Sequence, residues 1–225
     1  MLNIKCSGVD ELEQQEREEL YIAQLYKEDE QLKMVRAGIV AAGLRDISVP
    51  IGYGRLLTML VQLNNAQRVL EIGALGGYSG ICLARGFTST SGQLVSLELH
   101  QTNADLASRH MSLTGFDQQV TYMVGDARDS LQQLLLEDEQ FDFFFIDADK
   151  EGYPFYLDVA LKLARPGAII VADNIFLRGR VLDESKQGPA VQAMRQFNER
   201  IASDPRLLST SLPGYDGLTI AIVKK

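Results

Sequence analysis

The chain has 225 residues, 46% hydrophobic and 23% charged, which are globular proportions and sufficient length for one substantial core. Its formal net charge of -8 disfavours phosphate backbones and anionic lipid, which call for clustered Lys and Arg, and favours a small-molecule partner over nucleic acid or a membrane. No apolar run approaches the roughly 18 residues of a membrane span, no secretory signal is recognisable, and Cys6 and Cys82 lack metal-ligand spacing; a cytoplasmic protein is expected, without disulfides or a thiolate zinc site and with Cys82 as core filler.

Residues 10–42 are rich in Glu, Gln, Leu and Ala, with Leu12, Leu20, Leu25, Leu32, Val35 and Ile39 set among charges, a helical pattern. This N-terminal segment, about residues 1–45, reads either as a cap over the active site or as a dimerisation arm, and a homodimer is expected. Pro50, Gly52 and Gly54 punctuate a loop over residues 44–54, ahead of a helix running into Leu63. Residues 68–72, 94–99, 120–124, 141–146 and 168–172 then read as strands with helical segments between them. Runs such as Phe143-Phe144-Phe145-Ile146 and Ile169-Ile170-Val171 are apolar on both alternating faces, as in a parallel sheet covered by helices on each side. The expected fold is a doubly wound, Rossmann-like α/β sheet. Two further runs, 207–212 and 218–223, are joined by the turn-rich Pro213-Gly214-Tyr215-Asp216-Gly217 and suggest an antiparallel hairpin closing one edge. Nothing divides the chain, so residues 1–225 are expected to form one domain. His100 and His110, without companions of metal-site type, are expected at the surface.

The segment Arg68-Val69-Leu70-Glu71-Ile72-Gly73-Ala74-Leu75-Gly76-Gly77-Tyr78-Ser79 has the order strand, glycine turn, helix start that holds nucleoside cofactors in open α/β sheets. A carboxylate at Glu71 opposes a pyrophosphate but suits the ammonium group of a methionine moiety. Glu98, ending the next strand, is placed to accept hydrogen bonds from ribose hydroxyls, a role shared with nicotinamide enzymes. The spacing Gly-x-x-Gly-Gly departs from the dinucleotide fingerprint. After the third strand, Asp126 or the Ala127 backbone could meet an adenine, although an Asp there also serves as a helix N-cap.

The fourth strand ends in Ile146-Asp147-Ala148-Asp149-Lys150 and the fifth in Ala172-Asp173-Asn174. Adjacent parallel strands bring Asp147, Asp173 and Asn174 to one carboxyl edge, and three oxygen donors without His or Cys suit Mg²⁺, with Mn²⁺ or Ca²⁺ as alternatives. Helix capping is the competing role for these acids. Lys150 can reach back towards a bound hydroxyl, either as a general base or as a cation beside a phenolate.

These motifs resemble the cation-dependent O-methyltransferases that include the caffeoyl-CoA and catechol enzymes. The likeness spans roughly residues 46–225 and rests on Val69-Leu70-Glu71-Ile72-Gly73 with Gly77-Tyr78-Ser79, on Phe145 to Lys150, on Asp173-Asn174, and on Asp216-Gly217-Leu218-Thr219. It implies S-adenosylmethionine as cofactor, contacted by Val49, Glu71, Gly73, Ala74, Ser79, Glu98, Ala127 and Asp149. It also implies a divalent cation on Asp147, Asp173 and Asn174, and Lys150 beside the acceptor hydroxyl, with Asp147 serving catalysis as well. The acceptor implied is a small vicinal diol of catechol or caffeoyl type. The chain departs from the family pattern at Tyr53-Gly54-Arg55, where many relatives have an acid, Gly and Gln, and at Phe176-Leu177-Arg178, where plant members place a Trp. Both departures fall where the acceptor is expected. An NAD-dependent oxidoreductase or a non-catalytic cofactor-binding module are the alternatives; the first leaves Asp147, Asp173, Asn174 and Glu71 unexplained.

Overall fold

A computed structural model of the chain describes residues 8–224, with side chains from residue 14 onward except residue 15; Cys6 lies outside the described residues. The N-terminal helical stretch is two helices, α1 (Gly8–Leu25) and α2 (Glu30–Ala41). The break follows from Asp29, whose carboxylate accepts the Leu32 N–H at 3.0 Å and caps α2. Helix α3 spans Ile51–Leu63, so the expected loop ends at Pro50 and takes in neither Gly52 nor Gly54. Both glycines serve close packing instead: a Cβ on Gly54 would lie 2.9 Å from the Cys82 sulfur, and one on Gly52 3.3 Å from the Tyr215 hydroxyl.

The remainder runs β1 (Arg68–Ile72), α4 (Tyr78–Ala84), β2 (Gln93–Glu98), α5 (Gln101–Thr114), β3 (Val120–Val124), α6 (Ala127–Leu136), β4 (Phe141–Ile146), α7 (Tyr153–Leu163), β5 (Ala164–Asp173), α8 (Pro189–Ser203), β6 (Leu207–Leu212) and β7 (Leu218–Val223). The sheet order is β3-β2-β1-β4-β5-β7-β6; the first five strands are parallel, and β7 lies antiparallel between β5 and β6. The hairpin expected from the last two runs therefore adds to β5 through its second strand.

Strand alternation divides the core into two layers. Leu70, Ile72, Phe144 and Ile146 face α6, α7 and α8, whereas Val69, Phe143 and Phe145 face α2, α3 and α4. Phe143 to Ile146 are fully buried, which is why those runs show no polar face. Strand order reverses between β1 and β4, and their carboxyl ends open the crevice where open α/β sheets bind ligands. Helix α1 reaches this end of the molecule, since Glu19 accepts the Tyr215 N–H at 2.6 Å in the β6–β7 turn.

Candidate active site

At the end of β1 the chain turns through Gly73, with φ +102°; any Cβ there would lie 2.2 Å from the Asp147 carbonyl oxygen. Glycine is required because the ends of β1 and β4 approach closely, and the same approach brings the glycine turn beside Asp147. Gly77, at φ +83°, caps α4, which begins at Tyr78. Glu71 is buried beneath this turn and accepts hydrogen bonds from Ser79 and Ser96, both at 2.6 Å. Burial pushes its carboxyl up to about 7, against the pull of the two hydroxyls.

Glu98 accepts the N–H groups of Leu75 at 2.9 Å and His100 at 3.0 Å and the Asn103 amide at 3.1 Å, so one carboxylate fixes both the glycine turn and the start of α5. Asp126 takes the capping role, accepting from Arg128 N–H at 2.8 Å at the start of α6. Asp149 accepts from Gly152 N–H at 2.8 Å and from the Tyr156 hydroxyl.

The carboxylates at the ends of β4 and β5 come together as the sheet requires. Lys150 Nζ donates to Asp147 Oδ1 at 2.9 Å and to the Tyr153 hydroxyl at 2.6 Å. That hydroxyl in turn serves the carbonyls of Asp173 at 2.9 Å and Ile146 at 3.1 Å, joining the two strand ends through one buried phenol. Burial keeps Tyr153 well above the usual phenol range and hence a neutral donor. Asp173 is buried; desolvation first, then the negative charge of Asp147, pushes its carboxyl up to about 7. Asn174 follows at φ +59°, a left-handed position that Asn tolerates, with its N–H on Asp173 Oδ1 at 2.8 Å. Among the described residues no group of three or more His, Cys, Asp or Glu side chains is placed to hold a metal ion, so the candidate set is two carboxylates and one amide. Two carboxyl groups held at adjacent strand ends, one of them buried, are an oxygen donor set that a hard divalent cation suits.

Val49, Gly73, Ala74, Ser79, Glu98, Asp126, Ala127, Asp147, Asp149, Lys150, Asp173 and Asn174 all line one cleft of about 950 Å³, a volume with room for a nucleoside and a small acceptor together. Glu71 alone of the expected residues is absent from its wall, reaching it only through the hydroxyl of Ser79. His110 corrects the surface assignment. It is buried, with Nδ1 2.7 Å from the Gly76 carbonyl oxygen, and its ring occupies the space left by the missing side chain of Gly38 on α2. His100 is exposed, as expected. Tyr153 and Arg36 were not anticipated. The first stands three residues after Lys150, a spacing at which the two side chains can meet on one helical turn. Arg36 joins Glu28, Asp46 and the Val49 carbonyl and stacks on the Tyr78 ring at 4.3 Å, securing the cleft rim to α2.

Comparison with known proteins gives the family. Residues 22–224 match the family model described as O-methyltransferase. The chain is 40% identical to a catechol O-methyltransferase of Niastella koreensis, over 88% of this chain and 91% of that protein. It is 38% identical to a catechol O-methyltransferase of Mycobacterium tuberculosis, over 89% and 91%. Among solved structures, an O-methyltransferase from Bacillus cereus in complex with SAH superposes with a TM-score of 0.86 at 42% identity, covering 92% of this chain and 96% of that one. TomG from Streptomyces achromogenes, an O-methyltransferase involved in tomaymycin synthesis and solved with SAM, gives 0.85 at 38% identity, over 94% and 99%. With its family model matched over nearly the whole chain and its fold shared with these enzymes, the protein belongs to the O-methyltransferase family.

Proposed function

We propose that this single-domain enzyme transfers a methyl group from S-adenosylmethionine to one hydroxyl of a small vicinal diol, with a divalent cation, Mg²⁺ foremost, held by Asp147, Asp173 and Asn174. The observation that carries the reading is the convergence of the glycine turn, Glu98, Asp147, Lys150, Asp173 and Asn174 on one cleft. Relatives solved with SAM or SAH support the cofactor, and those named for catechol support the acceptor class. A nicotinamide cofactor leaves the oxygen donor set without a use.

Bound, the cofactor supplies an electrophilic methyl carbon and the cation a lowered pKa for the hydroxyl it holds, which matters because a free phenol is ionised only about one part in a thousand at pH 7. The chain's own residues do the rest. Lys150 has three N–H donors, of which Asp147 and Tyr153 occupy two, so one remains for the acceptor oxygen. Its ion pair with Asp147 fixes a positive charge where negative charge develops on that oxygen. Glu98 and the glycine turn orient the nucleoside end, and Leu177, buried at the same cleft, helps exclude water.

No helix of the described residues is long and apolar enough to cross a membrane. We take the enzyme to be cytoplasmic and homodimeric, without a nucleic-acid partner; Leu20, Tyr21 and Leu25, exposed on α1, suit a subunit interface. The test is transfer of labelled methyl from S-adenosylmethionine to catechol, with and without chelator. No transfer in the presence of Mg²⁺, or full transfer after exhaustive chelation, refutes the diol reading or the metal respectively.

A further inference from the structure

The acids near the acceptor end of the cleft all have donors of their own. Asp46 receives Arg36 on both oxygens, Asp147 receives Lys150, Asp173 receives the Asn174 N–H, and Asp216 receives the Arg178 backbone N–H at 2.6 Å. Two of the arginines at the same cleft are in the opposite situation. Six arginines, Arg36 at the cleft rim among them, pair with carboxylates. Arg45 and Arg178, by contrast, are exposed residues of the cleft lining whose guanidinium groups have no hydrogen-bond or ion-pair partner among the described residues. Arg180 beside them spends only its Nε, on the Leu177 carbonyl at 2.9 Å.

The backbone that presents Arg178 is unusual. Leu177, Arg178 and Gly179 are consecutive left-handed residues, at φ +52°, +55° and +77°, and the first two bear side chains that disfavour this conformation. The loop is held there by burial of Leu177 and by the Asp216 carboxylate on the Arg178 N–H. Disfavoured backbone persists where its surroundings over-determine it, commonly at ligand clamps. Here it holds Arg178 in the lining of the cleft to which Asp173 and Asn174 also belong.

We propose that the acceptor carries a carboxylate, received at the cleft mouth by Arg178 with Arg45 and Arg180 around it, while its diol end reaches Asp147, Asp173 and Asn174. This rests on the diol methylation proposed above and narrows its substrate class. A planar guanidinium fork matches a carboxylate with two parallel hydrogen bonds, and local positive charge offsets the repulsion an anionic acceptor meets from a chain of net charge -8.

The experiment compares 3-(3,4-dihydroxyphenyl)propanoate with its methyl ester, which share the diol and differ in charge across a saturated spacer. For the wild-type enzyme with S-adenosylmethionine and Mg²⁺ at about 0.05 M salt, kcat/KM for the acid should exceed that for the ester by about tenfold or more, mainly through KM, and the ratio should shrink at about 0.5 M salt. In Arg178→Asn, a residue that tolerates left-handed backbone, the ratio should fall to roughly threefold or less, and in the double variant with Arg45→Gln towards one. Arg178→Lys, which keeps the charge but not the fork, should lie between. An ester used as well as the acid by the wild type, or a preference that survives in the double variant, overturns the carboxylate subsite while leaving diol methylation standing. Failure of both compounds as acceptors refutes diol methylation itself, and the subsite with it.

Discussion

Replacing Tyr153 by Phe removes one oxygen atom from beneath the proposed reaction centre. The ring is retained, with its edge-on contact to Phe197 at 5.3 Å and its position 4.6 Å below Lys150 Nζ, so the packing cost is small. What is lost is the acceptor for Lys150 at 2.6 Å and the shared donor for the Asp173 and Ile146 carbonyls. A hydrogen bond to a charged group is worth about 1.5–3 kcal/mol net, and leaving the two carbonyls without their donor adds to this. A loss of about 2–3 kcal/mol of stability is expected, which at this chain length lowers Tm by roughly 5–10 °C. The effect on turnover arises differently: Lys150 retains only Asp147, and a misplacement of about 1 Å can cost as much as a hundredfold. We expect kcat to fall by about 10–100-fold, with KM for the cofactor changed by less than about threefold, because Tyr153 is not on the cleft wall. Steady-state kinetics and thermal melts on one preparation separate the two effects. A kcat within about twofold of wild type refutes the assignment of Tyr153 as a positioning residue for Lys150.

Three other outcomes are expected. Asp173→Ala should lower metal-dependent turnover by at least about a hundredfold while calorimetry finds S-adenosylmethionine binding nearly unchanged; parallel loss of both would place Asp173 in the cofactor site instead. A catechol should exceed its matched monophenol by about a hundredfold or more in kcat/KM, equivalent to roughly 2.7 kcal/mol of transition-state stabilisation, and comparable rates would rule out chelation of the acceptor. Glu71 and Asp173, both raised to about 7 chiefly by burial, make the unliganded protein less stable as pH rises. The folded state binds these protons more tightly than the unfolded chain, so their contribution is full below about pH 4, falls by roughly 1.4 kcal/mol per unit per group towards pH 7, and is then level. Melting temperatures measured from pH 5 to 8 should decline accordingly, and a rise across that window would contradict the burial of these acids as neutral groups.

The strands, their parallel association and the two-sided helical cover were legible in the sequence, because a strand buried on both faces must be apolar at successive positions, as Phe143 to Ile146 are. The meeting of Asp147 with Asp173 and Asn174 was legible for a related reason: parallel strands deliver their carboxyl ends to one edge, so acids ending β4 and β5 must be neighbours. The two glycines after Pro50 misled because glycine serves turns and close packing alike, and only the approach of α3 to α4 and to Tyr215 decides which. His110 misled for a similar reason, since the space that buries it is created by Gly38, seventy-two residues earlier in the chain. Glu71 was correctly placed beside the glycine turn, but its strand register buries it against Ser79 and Ser96 instead of exposing it in the cleft. Local pattern thus determined which elements form and which edge gathers the acids. Tertiary packing alone decided which polar groups meet, because contacts such as Tyr153 with Asp173, or Arg36 with Val49 and Tyr78, join segments whose separation in sequence carries no periodic signal.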